Sequence, residues 1–443
     1  MSYQAAIESL SAMTPELHTN PGQPRRKFSL DEFRALMAAL GNPQNLFFSV
    51  LIAGTNGKGS TASTLASIAS ASGVRTGLYT SPHLERVNER IRIGDVEIGD
   101  EDFGNLFSQV YEAAEKLVQD GGLPQLPSFF EILTAQAMLY FAQRKVQLAV
   151  LEVGMGGRLD ATNAVEPLVS VITDISLDHT EWLGPTIAAI TREKAGILRR
   201  GGTLLTLPQD TEASRTLQEI ASELGVRTIN AAEFMPNAGI QTGGFYSIEV
   251  LGSVIEVASP LQGAHQQRNV ALAIATSVEL KSAHGFPITA EAICEGIRRT
   301  CWPGRLERIK SGGVEWIVDV AHNPAGAEAL RASLSEFLPE GHPRLLIFSC
   351  LRDKPLKELA RILFPFFDEV IFAPIHSSRA AAMEDLEAAG RELGTSTASA
   401  KSVHEALQWA KNRVGANAGV VVISGSVYLV GEARSLLLGG EMQ

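Results

Sequence analysis

Short apolar runs alternate with longer stretches of helical periodicity along most of this chain. Apolar runs predict strands at residues 46–53, 76–81, 147–154, 168–175 and 203–207. Stretches of helical period predict helices at residues 28–40, 62–72, 100–118, 128–143, 186–198 and 265–283. Strands that alternate with helices indicate parallel βαβ units, so we predict an α/β fold built on a doubly wound sheet.

A second pattern of the same kind begins near residues 298–304. It predicts strands at 314–320, 344–349, 369–373 and 419–424, and helices at 323–338, 356–367, 383–393, 403–414 and 427–437. Before it, the alternating residues 246–257 predict a hairpin. We therefore expect two domains, residues 1–298 and 299–443, of which the second is a smaller α/β unit.

A glycine-rich loop joins the first predicted strand to the following helix. Residues 54–61 carry three glycines, and Lys58 stands between two of them. In a strand–loop–helix context such a loop binds phosphate, because its backbone N–H groups and the helix start face the anion. We expect Lys58 to reach the β- and γ-phosphates, and Ser60 or Thr61 to contact magnesium. The alternative is a glycine-rich turn with a surface lysine.

Polar side chains follow three of the predicted strands. Ser81, Glu152 and the pair Asp178 and His179 stand at or just past strand ends. Ligands bind at the carboxyl ends of parallel strands, so we expect these residues to converge near the phosphate loop. The two carboxylates are candidate magnesium ligands, to which Ser81 adds an oxygen and His179 a nitrogen. A structural histidine and a carboxylate that caps a helix are the alternatives for His179 and Glu152.

Two further charged clusters allow two interpretations each. Arg158 and Asp160 lie in a glycine-rich turn, where they form either a local ion pair or substrate contacts. Lys194 follows Glu193 on a predicted helix, and the two form either a solvated pair or part of a site. The sequence alone leaves both alternatives open.

A third cluster opens the second domain. Asn323 is expected to cap a helix, with Pro324 at its first position. Capping does not explain why Asp319 and His322 lie beside it. No Ser-His-Asp order, zinc spacing or reactive cysteine context competes with these candidates.

Composition narrows the class of protein. The 443 residues include 38 Lys and Arg against 49 Asp and Glu, a net charge of −11, which argues against binding to nucleic acid or anionic membranes. Three cysteines give no metal spacing, and the sequence contains neither a signal-type apolar core nor a membrane-length apolar run. We expect a cytoplasmic monomer that binds small molecules.

These motifs together resemble the dihydrofolate synthase/folylpolyglutamate synthase family of the Mur ligase superfamily. The matching segments are residues 54–60, 81–84, 88–91, 152–163, 177–179, 193–197, 265–269, 302–305 and 319–324, in the family's order. The resemblance implies an N-terminal P-loop ATPase-type doubly wound domain and a C-terminal Rossmann-like glutamate-ligase domain. It also implies an ATP-dependent ligase in which ATP phosphorylates a pterin-linked carboxylate and L-glutamate displaces the phosphate.

The resemblance also assigns roles to residues. The positions that match nucleotide contacts are Thr55, Asn56, Gly57, Lys58, Gly59, Ser60, Asn269, Arg305 and Asp319, with His322 beside them. The matching magnesium ligands, for two ions, are Ser81, Glu152, His179 and Lys194, of which Lys194 matches a lysine that is carbamylated in the family. The segments that match dihydropteroate contacts are Ser128, Phe129, Phe130 and Glu131, together with Leu159, Asp160 and Ala161.

The leading prediction is a bifunctional enzyme that adds L-glutamate to dihydropteroate and to tetrahydrofolate. Asp160 favours dihydropteroate but leaves a monofunctional folylpolyglutamate synthase open. Another Mur-type amino-acid ligase is the second alternative. A nucleotide switch without ligation is the third, and the combination of Glu152, His179 and Lys194 argues against it.

Overall fold

The computed structural model describes residues 1–13, 29–236, 245–338, 343–414 and 419–439. Phe28, the predicted start of a helix, lies outside these ranges. The chain forms two compact units: Met1–Pro82, Asn88–Pro260 and Gln267–Thr300 make the first, and His83–Val87, Leu261–Gln266 and Cys301–Gln443 make the second. The chain crosses from the first unit to the second between Thr300 and Cys301, within residues 298–304 where the sequence pattern changes. The sequence did not predict that the short segments His83–Val87 and Leu261–Gln266 also belong to the second unit.

The first unit contains an eight-stranded sheet. Its strands are β1 (Phe48–Ala53), β2 (Thr76–Tyr79), β3 (Ile91–Ile93), β4 (Val96–Glu97), β5 (Leu148–Glu152), β6 (Val169–Ile172), β7 (Thr203–Thr206) and β8 (Arg227–Asn230). They lie in the order β4-β3-β2-β5-β1-β6-β7-β8, and only β3 is reversed, pairing antiparallel with both β2 and β4. The central strand β5 is buried at every residue, which is typical of a parallel sheet covered on both faces. The predicted α/β class is confirmed.

Helices connect these strands. They are α1 (Tyr3–Ala12), α2 (Leu30–Ala39), α3 (Lys58–Ala71), α4 (Asp100–Gln119), α5 (Phe129–Gln143), α6 (Thr180–Leu183), α7 (Ile187–Ala195), α8 (Thr211–Leu224), α9 (Ala264–His284) and α10 (Ala290–Arg299). The predicted hairpin is present as β9 (Phe245–Val250) and β10 (Ser253–Ala258), which pair in antiparallel register. Strands β3, β4 and β8 were not predicted, because they are short and half polar and so carry little apolar signal.

The second unit is built on a six-stranded sheet. Its elements are β11 (Glu307–Ser311), β12 (Val314–Val318), α11 (Pro324–Phe337), β13 (Arg344–Phe348), α12 (Leu356–Leu363), β14 (Glu369–Phe372), α13 (Met383–Leu393), β15 (Thr397–Ser399), α14 (Val403–Val414), β16 (Val420–Ser424) and α15 (Val427–Leu438). The strand order is β11-β12-β16-β13-β14-β15, and only β11 runs antiparallel to its neighbour. No described helix of either unit is long and apolar enough to cross a membrane.

The segment His83–Val87 belongs to the second unit through specific contacts. Leu84 packs against the apolar cluster formed by α14, α15 and the sheet. Its carbonyl oxygen lies so close to Gly431 that a Cβ there would meet it at 2.0 Å. The Glu85 carboxylate accepts hydrogen bonds from Arg434 and from the hydroxyl of Ser435, the latter at 2.8 Å. A segment between β2 and β3 is thereby fixed to the last helix of the chain.

Candidate active site around the phosphate loop

The glycine-rich loop ends in a helix start that suits an anion. Helix α3 begins at Lys58, four residues earlier than the apolar pattern predicts, so that Gly59 and Ser60 lie in its first turn. Gly57 takes the N-cap position with a φ of +88°, a conformation that favours glycine. First-turn N–H groups have no partner within a helix, and together with the helix dipole they attract negative charge. The geometry of a phosphate-binding loop is therefore present.

Residues 173–176, which follow β6, hold the first half of this loop. The backbone N–H groups of Thr55 and Asn56 both donate to the Asp174 carbonyl, at 2.8 and 3.2 Å. The hydroxyl of Thr173 donates to the Asn56 carbonyl at 2.7 Å, and that of Thr55 donates to the Ser176 carbonyl at 3.0 Å. Two loop amides are thus occupied by the fold, so the amides from the helix start onward are the ones that can face a phosphate.

Gly57 provides a test of this loop. A Cβ at Gly57 would lie 2.1 Å from Oδ1 of Asn269 on α9, whereas a Cβ at Gly73, whose φ is +79°, would meet nothing within 4 Å. Both positions impose a similar backbone strain on alanine, but only Gly57→Ala also displaces Asn269. We expect Gly57→Ala to weaken ADP binding by about tenfold or more and Gly73→Ala to leave it unchanged, as measured by calorimetry. Equal affinities for the two variants would contradict this assignment of the loop.

Two of the predicted metal ligands lie together at the end of β5. Glu152 is 4% exposed, and its Oε2 accepts a hydrogen bond from the Ser81 backbone N–H at 3.0 Å. Because β2 and β5 are parallel neighbours, Ser81 and Glu152 reach the same edge of the sheet. The carboxylate of Glu152 and the hydroxyl that Ser81 carries are both hard oxygen donors, and such a donor set fits magnesium. Within the described ranges, no group of three or more His, Cys, Asp or Glu side chains forms a metal cluster.

His179 takes a strained position. It is the N-cap of the short helix α6, with a φ of +49°, and its backbone N–H donates to the Asp178 carboxylate at 2.9 Å. A positive φ is uncommon for a residue with a side chain and frequently marks a functional site. The position of His179 next to the segment that holds the loop agrees with a site role.

Lys194 is buried and does not pair with Glu193. Its side chain is 4% exposed, and Nζ donates to the Gly54 carbonyl of the phosphate loop at 2.6 Å. The interpretation of a solvated Glu193–Lys194 pair is wrong, because Glu193 instead binds Arg158 at 2.9 Å. Burial, and next the charge of Lys58, lower the pKa of Lys194 to about 7, against the opposing charges of Asp178 and Asp160. An amine that is about half neutral near pH 7 therefore lies against the loop.

Asp160 is likewise a buried group with internal partners. It is 5% exposed and accepts hydrogen bonds from the backbone N–H groups of Met155 and Thr162, both at 3.0 Å. The interpretation of a local Arg158–Asp160 ion pair is wrong, since Arg158 turns outward to Glu193. Burial raises the pKa of Asp160, although these hydrogen bonds act in the opposite direction.

The two predicted substrate segments meet at Gly154. A Cβ there would lie 2.6 Å from the Phe130 ring and 3.3 Å from Oδ2 of Asp160. Ser128 and Glu131 form a capping box at the start of α5, which explains both residues structurally. Phe129 is only partly buried, and the guanidinium of Arg90 lies 5.1 Å from its ring centre. Leu159 and Ala161 flank Asp160 in the chain. Sequence reasoning did not assign a role to Arg90.

The candidate residues of the second unit form their own cluster. The Asp319 carboxylate, 6% exposed, accepts from the backbone N–H groups of Leu306 and Ala321, both at 2.9 Å. It thereby fixes the residue that follows Arg305. Nδ1 of His322 lies 2.9 Å from the Val320 carbonyl, and Asn323 caps α11 as predicted. The nucleotide roles of Arg305, Asp319 and His322 stay predictions.

Two domain families match the chain, one in each part of the sequence. The Mur ligase middle domain model matches residues 52–277, and the Mur ligase glutamate ligase domain model matches residues 304–427. The chain is 36% identical over 410 residues to the folylpolyglutamate synthase of Lacticaseibacillus casei, covering 92% of this chain and 94% of that protein. It is 33% identical over 417 residues to the dihydrofolate synthase/folylpolyglutamate synthase of Bacillus subtilis (strain 168), with 93% and 95% coverage.

A solved structure of E. coli FolC in complex with DHPP and ADP matches with a TM-score of 0.84 at 30% identity. The match covers 100% of this chain and 99% of that one. The two domain models follow one another along the chain in the same order as the motifs described above, and each of the two relatives aligns with more than nine tenths of the chain. The chain therefore belongs to the dihydrofolate synthase/folylpolyglutamate synthase family of Mur ligases, which are ATP-dependent amide-bond-forming ligases.

Proposed function

We propose that this enzyme is bifunctional, adding L-glutamate to dihydropteroate and further glutamates to tetrahydrofolate. The observation that carries the proposal is the meeting of Phe130 and buried Asp160 at Gly154, which joins the two segments that match dihydropteroate contacts. The B. subtilis relative bears both activity names, and the E. coli structure holds DHPP and ADP. The L. casei relative is named for the second activity alone, so a monofunctional synthase is the competing candidate.

The reaction has to make a poor electrophile reactive. A free carboxylate resists attack by an amine, and phosphorylation by ATP converts it into an acyl phosphate with a good leaving group. The transfer needs positioning and neutralisation of charge more than covalent help from the protein. In our proposal the amides at the start of α3 bind the phosphates and Lys58 neutralises their charge.

Ser81 and Glu152, which meet at the end of β5, would hold magnesium. His179 is the third proposed ligand. Bound magnesium supplies positive charge that offsets the charge of the transferring phosphoryl group. A carbamate on Lys194 would convert a cation into an anionic oxygen ligand for a second ion. Carbamylation requires a neutral amine. The pKa of Lys194, about 7, supports the presence of that form near neutral pH.

An assay of ADP release separates the candidates. Purified enzyme is supplied with ATP, magnesium and L-glutamate, and with either dihydropteroate or tetrahydrofolate, and the products are identified by mass. We expect one added glutamate with dihydropteroate and glutamylated products with tetrahydrofolate. Product from tetrahydrofolate alone would establish a monofunctional synthase.

The same assay tests the more distant alternatives. Another Mur-type ligase would be favoured if the enzyme turned over UDP-muramyl peptides but neither dihydropteroate nor tetrahydrofolate. ATP hydrolysis without amide product on any substrate would favour a nucleotide switch. Lys58→Ala serves as the control for contaminating ATPases, because the variant lacks the proposed phosphate contact.

A further inference from the structure

One ion pair connects α9 to the segment that supports the phosphate loop. Nε of Arg268, on α9, lies 2.9 and 3.1 Å from the two carboxylate oxygens of Asp174, and Nη2 also donates to Oδ1. The same Nη2 donates to the Pro208 carbonyl at 2.9 Å, at the end of β7. A fork of this kind fixes the orientation of both groups, unlike a single contact between surface charges.

Asp174 links the pair directly to the loop. Its carbonyl oxygen accepts the two N–H groups of Thr55 and Asn56, while its side chain is held by Arg268. Gln209 fixes the backbone on either side: its Nε2 donates to the Thr173 carbonyl at 3.0 Å, and its Oε1 accepts from the Ile175 N–H at 2.9 Å. The position of Asp174 therefore sets the position of the loop's first half.

The neighbouring residue on α9 approaches the loop as well. Asn269 lies against Gly57, the N-cap of α3. Helix α9 is thus linked to the loop at two points. Asn269 contacts the loop directly, and Arg268 is linked to it through Asp174. A change in the fork would shift α9 and the loop relative to each other, and phosphate contacts depend on distances of a few tenths of an ångström.

We propose that Arg268 is a positioning residue for nucleotide binding, which holds the phosphate loop in its binding geometry through Asp174. This inference rests on the proposed function, because it presumes that the loop binds ATP. Arg268 has its own partners in Asp174 and Pro208, so its contribution passes through the loop backbone and not through contact with the phosphates.

The test uses two variants and a matched control in the full-length enzyme. Arg268→Met removes the fork, and Asp174→Asn removes the charge while the backbone carbonyl stays in place. Arg227→Met is the control, since Arg227 also pairs with a carboxylate on α9, that of Glu279, but at the other end of the helix. ADP affinity is measured by calorimetry, KM for ATP and kcat by product formation, and stability by thermal unfolding.

We expect Arg268→Met to weaken ADP binding by about tenfold, the usual consequence of losing a charged hydrogen bond, and to raise KM for ATP with a smaller change in kcat. Arg268→Lys should recover part of the loss, because lysine keeps the charge but not the fork. Asp174→Asn should weaken binding similarly, and the double variant should lose no more than either single variant. Arg227→Met should leave ADP binding unchanged.

Three results would overturn the inference. ADP affinity of Arg268→Met equal to that of the unmodified enzyme would show that the fork does not position the loop. Equal losses of ADP affinity in Arg227→Met and Arg268→Met would reduce the effect to general stability of α9. An unmodified enzyme that bound no ADP would overturn the proposed function and the inference with it. Either of the first two results, in an enzyme that forms the amide normally, would overturn the inference alone.

Discussion

Lys194→Met is expected to lower the rate of amide formation by at least about a hundredfold. The methionine side chain has a similar volume and fills the buried space, but it can neither donate to the Gly54 carbonyl nor carry a carbamate. The measurement is product formation at saturating ATP, magnesium and L-glutamate. Lys116→Met, on the exposed surface of α4, is the control and should keep full activity. Full activity in Lys194→Met would show that Lys194 is not part of the active site.

The dependence on pH and carbon dioxide sharpens this prediction. Carbamylation forms an N–C bond between the neutral amine and carbon dioxide and releases a proton, so it requires deprotonated Lys194. With a pKa of about 7, roughly a tenth of the amine is neutral at pH 6. We expect enzyme freed of carbon dioxide to lose activity, to regain it with bicarbonate, and to regain it faster at pH 8 than at pH 6. A tryptic peptide that never gains the mass of carbon dioxide, together with activity indifferent to bicarbonate, would contradict the carbamate.

Stability provides an independent measurement at the same residue. The pKa of Lys194 falls from 10.5 to about 7 on folding, so between those values the unfolded chain binds more protons than the folded one. The free energy of unfolding of the carbon dioxide-free enzyme should therefore rise with pH across this window and fall as pH decreases toward 7. Lys194→Met lacks this titration, so its slope should be smaller by that contribution. Identical slopes would show that Lys194 is not buried as a neutral amine.

Glu152→Gln is the second change with a large expected effect. It keeps the shape of the side chain, and an amide oxygen in place of Oε2 preserves the hydrogen bond from the Ser81 N–H. It removes the negative charge that would attract magnesium, so we expect turnover to fall by about a hundredfold or more at ordinary magnesium concentrations.

Titration of magnesium identifies the cause. Glu152→Gln should need a higher magnesium concentration for half-maximal rate, while its affinity for ADP without magnesium stays unchanged. Glu193→Gln is the control, because Glu193 is a carboxylate on α7 that binds the exposed Arg158. A normal magnesium dependence in Glu152→Gln would exclude Glu152 as a ligand and would favour the alternative of a structural carboxylate.

The regular elements that bear the site were accessible from the sequence, because long apolar runs leave few options. Strand β5 and helix α5 are examples, the first from its continuous apolar character and the second from the apolar, helical pattern of residues 128–143. Partners of charged groups were not accessible. Helical periodicity placed Lys194 on a helix but did not show that the side chain turns inward and Glu193 outward.

Pairs distant in sequence were inaccessible for a related reason. Arg268 and Asp174 are 94 positions apart, and nothing in either local pattern links them. Their contact depends on where α9 crosses the carboxyl ends of β6 and β7, which is a property of the folded sheet. The same holds for Phe130 and Asp160. Only the folded structure shows that both side chains lie against Gly154.

The membership of His83–Val87 in the second unit has a practical consequence for cutting the enzyme into pieces. A fragment ending at Thr300 would carry Leu84 and Glu85 without Arg434, Ser435 or the apolar cluster that they contact. The complementary fragment would lack the Leu84 side chain that packs against that cluster. The two halves are therefore poor independent expression units, and any exchange of the C-terminal half between relatives has to carry residues 83–87 along with it.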